Sequence, residues 1–327
     1  MEIGPIWEKM DPITKAVLLS WNWRWEVIIV LAFAGILYSR GWRQLYRRTV
    51  ARGGGNGRHR SRTARGRWRL AVTWRLVSYW AGLFFIAIAL LSPIDVLSGQ
   101  LFLMHMIQHL LLIMFAPPLL LIANPLPFML WGLPDRARLS CGNFLGWLLR
   151  KDAPFRNVLM SITSPGFLWL LWVIFLYGWH DPNLYNAALY YKWVHDVEHL
   201  SFFLTSTLFW WNITRAGPHI HKRMGMMARI ALALAAVPVN AVLGAVLAFT
   251  PEPVYTYYLS VPRLWGISVM TDQQIGGVIM WVPGSMMYFI AAFILIARIV
   301  GKEERKPALP ESKWATEDNL AAPGLEK

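Results

Sequence analysis

Five of the eight histidines lie in three short polar stretches that border apolar runs. His195 and His199 stand four residues apart at the start of one run, and His105 and His109 have the same spacing in another. His180 closes a third run. A helix repeats every 3.6 residues, so each pair places two imidazoles on one face, a turn apart. Imidazole is the commonest metal-binding side chain, and the pattern therefore predicts a transition-metal site.

The same stretches contain polar and thioether side chains that would support such a site. A carboxylate or amide beside a ligand histidine can accept the second ring N–H and so orient the ring. Thioethers suit Cu(I), the ion that a copper carrier would hold. The predicted supporting residues are Asp196, Glu198, Gln108 and Asp272, and the possible soft ligands are Met104 and Met106.

Other interpretations of these residues remain open. Residues 195–199 also fit His-x-x-Glu-His, the inverted zinc-protease pattern, in which two histidines bind zinc and the glutamate acts as a base. Another alternative is a haem- or quinone-linked electron carrier, in which one histidine from each of two facing helices, His109 and His199, would suit a bis-histidine haem. The bland alternative is hydrogen bonding between helices in a structural scaffold, at positions where polar groups are costly in lipid.

The elements that carry these residues are typical of a polytopic membrane protein. The chain has 327 residues, 56% hydrophobic and 15% charged, with a mean hydropathy of +0.39. The net charge of +14 is confined to short loops, which indicates membrane topology and contact with the lipid bilayer, and no nucleic-acid-binding motif accompanies it. Cys141 is the only cysteine, so an intrachain disulfide is excluded.

Seven apolar runs predict an all-α bundle of seven transmembrane helices. Basic residues crowd alternate loops, so the positive-inside rule places the N-terminus outside and the C-terminus in the cytoplasm. The predicted organisation is an external segment 1–22, a transmembrane domain 23–300 with an Arg-rich cytoplasmic loop 40–69, and a disordered tail 301–327. The predicted spans are 23–38, 70–91, 101–123, 165–179, 194–213, 230–249 and 275–300.

This topology brings the five histidines to one membrane face. The third, fifth and seventh spans enter from the outside, and the fourth exits there, so all five rings fall in or just above the outer leaflet. Asp272 opens the seventh span at the same level. The proline pair 117–118 and Pro238 are expected to kink their helices, and Gly276 and Gly277 to allow close helix packing.

The sequence resembles the CtaG family of bacterial cytochrome c oxidase assembly proteins, in the multi-pass branch associated with caa-type oxidases. The stretches that carry the resemblance lie in order over residues 75–300: His-Met-Ile-Gln-His (105–109) with Ala-Pro-Pro (116–118), Trp-His-Asp-Pro (179–182) with Leu-Tyr (184–185), His-Asp-Val-Glu-His (195–199) with Phe-Trp-Trp (209–211), and Asp-Gln-Gln-Ile-Gly-Gly (272–277) with Met-Trp (280–281).

The resemblance implies a non-enzymatic, multi-pass protein of the bacterial plasma membrane that supports maturation of a haem–copper oxidase. It implies copper delivery to the catalytic subunit, with other copper chaperones as further partners. On that basis the expected ligands are the two histidine pairs with His180 as a fifth or alternate ligand. A single-span copper chaperone with paired cysteines shares the CtaG name, and nothing in this chain resembles it. Metal identity and oligomeric state stay open.

Overall fold

The computed structural model describes residues 10–53, 71–150, 153, 155–216 and 224–304. Within these ranges the chain is helical and contains no strand, which confirms the all-α prediction. In chain order the helices are α1 Pro12–Leu19, α2 Trp25–Gly53, α3 Thr73–Leu91, α4 Pro93–Ser98, α5 Phe102–Ile122, α6 Pro125–Gly132, α7 Asp135–Leu149, α8 Arg156–Ile162, α9 Pro165–Trp179, α10 Pro182–Tyr190, α11 Lys192–Thr214, α12 Met226–Phe249, α13 Tyr257–Ser260 and α14 Val269–Glu303.

Several of these helices are long and apolar enough to cross a membrane. Five meet both conditions in the described ranges, namely α2, α3, α5, α12 and α14. Helices α8 and α9 form a sixth if their 52° bend belongs to one broken span. Helix α11 has 23 residues, about 35 Å at 1.5 Å per residue, but polar side chains in its first turns lower its hydropathy. The chain is therefore a multi-pass membrane protein with five or six spans by length and composition.

One predicted boundary, the end of the first span at residue 38, differs from the structure. Helix α2 continues to Gly53, so the first part of the loop predicted over 40–69 is helical. Its aromatic and arginine side chains support that extension, since Trp42 stacks on Tyr46 and Arg48 lies over the Trp131 ring. The rest of the loop, and the tail from residue 305 onward, lie outside the described residues.

Helix α5 lies in the core and changes its winding halfway along. Pro117 has no N–H, so the carbonyl of Ile113 cannot receive its usual intrahelical bond. Residues Leu111–Phe115 form a π-helical turn, and the Trp210 indole of α11 donates to the Ile113 oxygen at 3.0 Å. The expected distortion at the proline pair is thus a π-turn, and it ties α5 to α11.

Glycines bring α14 against its two neighbours. A Cβ on Gly277 would lie 2.7 Å from the Gly244 oxygen of α12, and a Cβ on Gly276 would overlap the Phe102 ring of α5. The backbones can approach closely only without these side chains. Asn240 of α12 donates to the Met280 oxygen of α14 at 2.7 Å and so links the two helices.

Candidate metal centre

Three histidines and one glutamate meet at the end of the bundle where α5, α11 and α14 begin and α9 ends, here called the histidine end. One side-chain atom each from His105, His109, Glu198 and His199 lies within 4.8 Å of the others, and all four residues are buried. The Glu198 oxygens are 3.7 Å from His105 Nε2 and 3.6 Å from His109 Nε2. Histidines from two different helices therefore face a common point.

Within the described residues, the nitrogen and oxygen atoms of this cluster that could bind a metal have no hydrogen-bond partner. The unpartnered atoms include both carboxylate oxygens of Glu198, both ring nitrogens of His109 and His199, and Nε2 of His105. Buried polar groups without partners cost free energy, and native proteins contain few of them. A cation would satisfy imidazole lone pairs and the carboxylate charge together. The cluster therefore fits a metal ion, and three nitrogens with one oxygen suit zinc, copper or iron.

A chain of hydrogen bonds fixes which nitrogen of His105 carries its proton. Tyr258 donates to the Ser98 carbonyl at 2.9 Å, since a carbonyl can only accept. The Tyr258 hydroxyl has then used its one proton, so in the 3.1 Å contact between the two tyrosine hydroxyls Tyr185 donates to Tyr258. Tyr185 has no proton left for His105 Nδ1, 2.8 Å away, so that nitrogen donates to the Tyr185 oxygen. The Nε2 lone pair of His105 consequently faces Glu198.

His180 and His195 lie at the edge of the cluster. The His180 Nδ1 donates to the Leu176 carbonyl at 2.7 Å, which leaves an unpartnered Nε2, and its ring centroid is 6.2 Å from that of His109. The His195 ring is 4.1 Å from the His199 ring and 5.1 Å from the His105 ring, and its Nε2 is also unpartnered. Both are placed to act as alternate ligands, but neither belongs to the four-residue group.

The predicted supporting residues have other partners, with the exception of Glu198. Asp196 pairs with Arg24 at 2.7 Å. Gln108 donates to the Ala89 carbonyl at 2.8 Å and to Asp95 at 2.7 Å. Within the described residues, neither of these two side chains has a hydrogen bond or ion pair with a histidine ring, whereas Glu198 belongs to the four-residue group. Helical period explains why Asp196 and Glu198 differ, because residues 195, 198 and 199 share a face and Asp196 is turned about 100° from His195.

Asp272 holds the start of α5 in place. Its two oxygens accept the backbone N–H groups of Phe102 and Leu103, each at 2.9 Å, and it pairs with Arg263 at 2.9 Å. These N–H groups belong to the first turn of α5, where a helix has unsatisfied donors. Asp272 therefore positions His105 through the helix, and among the described residues its hydrogen bonds go to backbone N–H groups and Arg263.

The two methionines occupy different environments. Met104 is half-buried, while Met106 is buried and lines a small cavity of about 30 Å³ below the cluster. His109, His180 and Met280 line the same cavity. Of the two predicted soft ligands, Met106 is the one that lines this cavity with two of the histidines.

A wider groove reaches the cluster from the side. It has a volume of about 330 Å³ and lies between α2, α3, α5 and α11, with His199 in its wall. Apolar side chains such as Val30 and Phe203 form most of it, and Arg24 and Asp196 lie at its polar end. The buried cluster therefore has a lateral approach that passes His199.

Sequence reasoning missed three residues at this site. Tyr185 and Tyr258 complete the hydrogen-bond chain to His105, and Arg24 pairs with Asp196 at the groove. Tyr185 follows the helix cap Asp181, whose carboxylate accepts the N–H groups of Asn183 and Leu184. That cap was readable from the sequence, but the partners 73 to 172 residues away along the chain were not.

Comparison with known proteins identifies the family. A family model described as cytochrome c oxidase caa3 assembly factor matches residues 36–302. An uncharacterized protein of Mycobacterium leprae is 27% identical over 260 residues, which is 76% of this chain and 38% of that protein. Uncharacterized proteins of Mycobacterium bovis and Mycobacterium tuberculosis are each 27% identical over 250 residues.

The chain spans less than two-fifths of the length of these curated relatives. No solved structure matches it. The family match covers every helix that contributes to the histidine cluster. The chain belongs to the cytochrome c oxidase caa3 assembly factor family.

Proposed function

We propose that this protein binds a copper ion at His105, His109, Glu198 and His199 and supports its delivery to the catalytic subunit of a cytochrome c oxidase. The observation that carries the proposal is the set of buried, converging donor atoms without hydrogen-bond partners. Family membership supports the oxidase as recipient. Copper is the metal that such an oxidase would receive, and imidazole ligands suit it.

The proposed topology has seven spans, with the N-terminus outside and the C-terminus in the cytoplasm of the bacterial plasma membrane. Helix α11 is the seventh span, because it is long enough and its polar first turns face the cluster. Charge supports the orientation, since basic residues such as Arg138, Arg156 and Arg298 lie at or near the end opposite the histidines. The metal site then opens toward the outer side.

The lateral groove supports transfer. A carrier has to release its ion, so an incoming ligand must reach the metal before the old ligands leave. His199 lines the groove and is the cluster residue such a ligand would meet there. His180 and His195 can take over coordination during exchange, because each keeps an unpartnered Nε2. No catalytic turnover is part of this role.

A zinc enzyme is the second candidate, because residues 195–199 fit the His-x-x-Glu-His pattern. In that reading Glu198 activates a metal-bound water. The observed position of Glu198, with its oxygens 3.6–3.7 Å from two Nε2 atoms of α5, favours a ligand over a base. A haem between His109 and His199 is less favoured, because their ring centroids are 5.3 Å apart and further imidazoles crowd around them.

The test is the metal content of detergent-purified protein from copper-replete cells, together with its absorption spectrum. Wild type is compared with His105→Ala/His199→Ala and with a control, His219→Ala/His221→Ala. We expect about one copper per chain in wild type and control, and none in the folded cluster variant. Zinc would support the enzyme, and a Soret band the haem protein. Absence of any metal from wild type would overturn the proposal.

The delivery step needs a second readout in cells. A strain without this protein, complemented with the cluster variant, should assemble oxidase that lacks copper and activity. Complementation with wild type or with the control variant should restore both. Full oxidase activity with the cluster variant would contradict delivery, whatever the purified protein binds.

A further inference from the structure

A second groove lies at the opposite end of the bundle, far from the histidines. It has a volume of about 320 Å³ and is enclosed by α5, α11, α12 and α14. His199 lies at one site and Ile213 at the other, both on α11, and their separation of 14 positions corresponds to about 21 Å. Its apolar wall includes Phe115, Pro118, Leu119, Ile122, Trp210, Ile213, Met287, Ile290, Ala291, Ile294 and Leu295.

Two arginines give this groove a strongly basic end. Arg229 and Arg298 line it, and Arg215 is close enough to repel Arg229. None of the three forms an ion pair within the described residues, and no acidic side chain lines the groove there. The basic end therefore has positive charge without a counter-ion from the described protein.

The Arg229 side chain is held in place. It is 5% exposed, and its Nε donates to the Ile213 carbonyl at 2.7 Å, with Nη2 donating to the same oxygen. The described residues leave the Nη1 donors unused, so the guanidinium can bind another acceptor. Arg298 of α14 is exposed and supplies a second cation at the same groove.

We propose that the groove binds one anionic phospholipid, with an acyl chain along the apolar wall and the phosphate between Arg229 and Arg298. The depth fits, because α5 and α11 end and α12 begins at this level, where headgroups lie. Arginine forks bind phosphate oxygens well, and basic pockets between spans recognise anionic headgroups. A free phosphate would leave the apolar wall unused, so one lipid satisfies both parts of the groove.

The test measures lipid affinity in purified protein with its spans intact. Native mass spectrometry counts bound phosphatidylglycerol and phosphatidylcholine, and a thermal shift in each lipid gives a second readout. The variants are Arg298→Gln, Arg229→Gln/Arg298→Gln and Ala291→Phe, which fills the groove without changing charge. The matched control is Arg43→Gln/Arg47→Gln, two exposed arginines on α2 that do not line the groove.

We expect wild type to retain phosphatidylglycerol over phosphatidylcholine. About 1 kcal/mol per arginine corresponds to about a 5-fold loss of affinity in Arg298→Gln and about 25-fold in the double variant. Ala291→Phe should lose the lipid, and the α2 control should keep it. Equal losses in the control and the groove variants, or equal binding of both lipids, would overturn the proposal. Because Arg298 is exposed, its variant tests the site even if Arg229→Gln fails to fold.

Discussion

At the residue scale, the histidine cluster is defined by which atoms have partners and which do not. The Nδ1–H of His105 donates to the Tyr185 oxygen and that of His180 donates to the Leu176 carbonyl, so the Nε2 lone pair of each ring is unpartnered within the described residues. A hydrogen bond to the other ring nitrogen holds a histidine in its metal-binding tautomer. Coordination then needs no change of tautomer, so the metal binds more tightly. Tyr185 is thus a positioning residue, which acts on the metal through His105.

Tyr185→Phe removes the acceptor for the His105 Nδ1 proton and leaves that N–H buried without a partner. We expect about a 10-fold weaker copper affinity, the lower end of the range for loss of a partner behind a ligand. A competition titration with a chromophoric chelator measures it. The control is Tyr190→Phe, on the same helix but 62% exposed. Equal affinities of the two variants would show that the hydrogen-bond chain does not position the ligand.

Glu198→Gln separates the carrier from the enzyme. If Glu198 is a ligand, replacing its charge with a neutral amide should weaken metal binding by at least about 10-fold. Loss of a residue that only orients a ligand already weakens binding by about that factor, and loss of a ligand should weaken it at least as much. Metal analysis after dialysis checks this, with exposed Glu252→Gln as the control. Metal retained in full with loss of a hydrolytic turnover would instead support the His-x-x-Glu-His enzyme.

At the element scale, the start of α5 depends on a carboxylate from another helix. Asp272 of α14 is fully buried; it accepts the first N–H groups of α5 and pairs with the half-buried Arg263. The Gly276 contact with Phe102 brings the two helices close enough for this. The direction in which His105 and His109 point is therefore set partly by α14.

Asp272→Asn should destabilise the fold and loosen the site together. The amide keeps one acceptor oxygen, so one N–H loses its partner and Arg263 loses its counter-ion, at a cost of about 2 kcal/mol. Thermal unfolding in detergent should show a lower Tm, and the chelator titration a weaker copper affinity.

Asp181→Asn is the control for that change, because Asp181 caps α10 from an exposed position by the same kind of bond. Its effect on Tm should be smaller, since water can replace the lost acceptor. Equal changes of Tm and of copper affinity in the two variants would mean that the buried bonds of Asp272 contribute no more than an exposed helix cap. They would contradict the inference that α14 positions the histidines of α5.

At the scale of the whole molecule, the proposed orientation separates the two ends of the bundle. The histidine end faces outward and the basic end faces the cytoplasm, so a metal would arrive on one side and anionic lipid would bind on the other. Cys141 is the only cysteine, so Cys141→Ser gives a cysteine-free chain in which single cysteines report each side.

Lys192→Cys and Arg150→Cys in that background test the orientation. Both positions are exposed, Lys192 at the histidine end and Arg150 after α7. A membrane-impermeant maleimide should label Lys192→Cys in intact cells, and Arg150→Cys only in inside-out vesicles. The reverse labelling pattern would mean that the topology is the opposite of the one proposed. Labelling of both cysteines from the same side would contradict the proposal that one span, formed by α8 and α9, lies between them.

Much of this molecule was predictable from local pattern. Apolar runs predicted the helices, because a span must be about 20 apolar residues long and satisfy its own backbone. The spacing of His195 with His199 and of His105 with His109 predicted paired imidazoles, because i and i+4 share a face. The same period also separates Glu198 from Asp196, so that distinction was available in the sequence.

Only the tertiary structure decided how the pairs meet and what stands behind them. A one-dimensional pattern gives the face of a helix but not the neighbour that it turns toward, which depends on packing between elements far apart in the chain. Close glycine contacts place α14 against α5 and α12, and Tyr185 reaches His105 across 80 residues. The sequence determined which side chains share a helical face, and packing decided that three histidines and Glu198 face one another, because only contact between helices fixes their rotation.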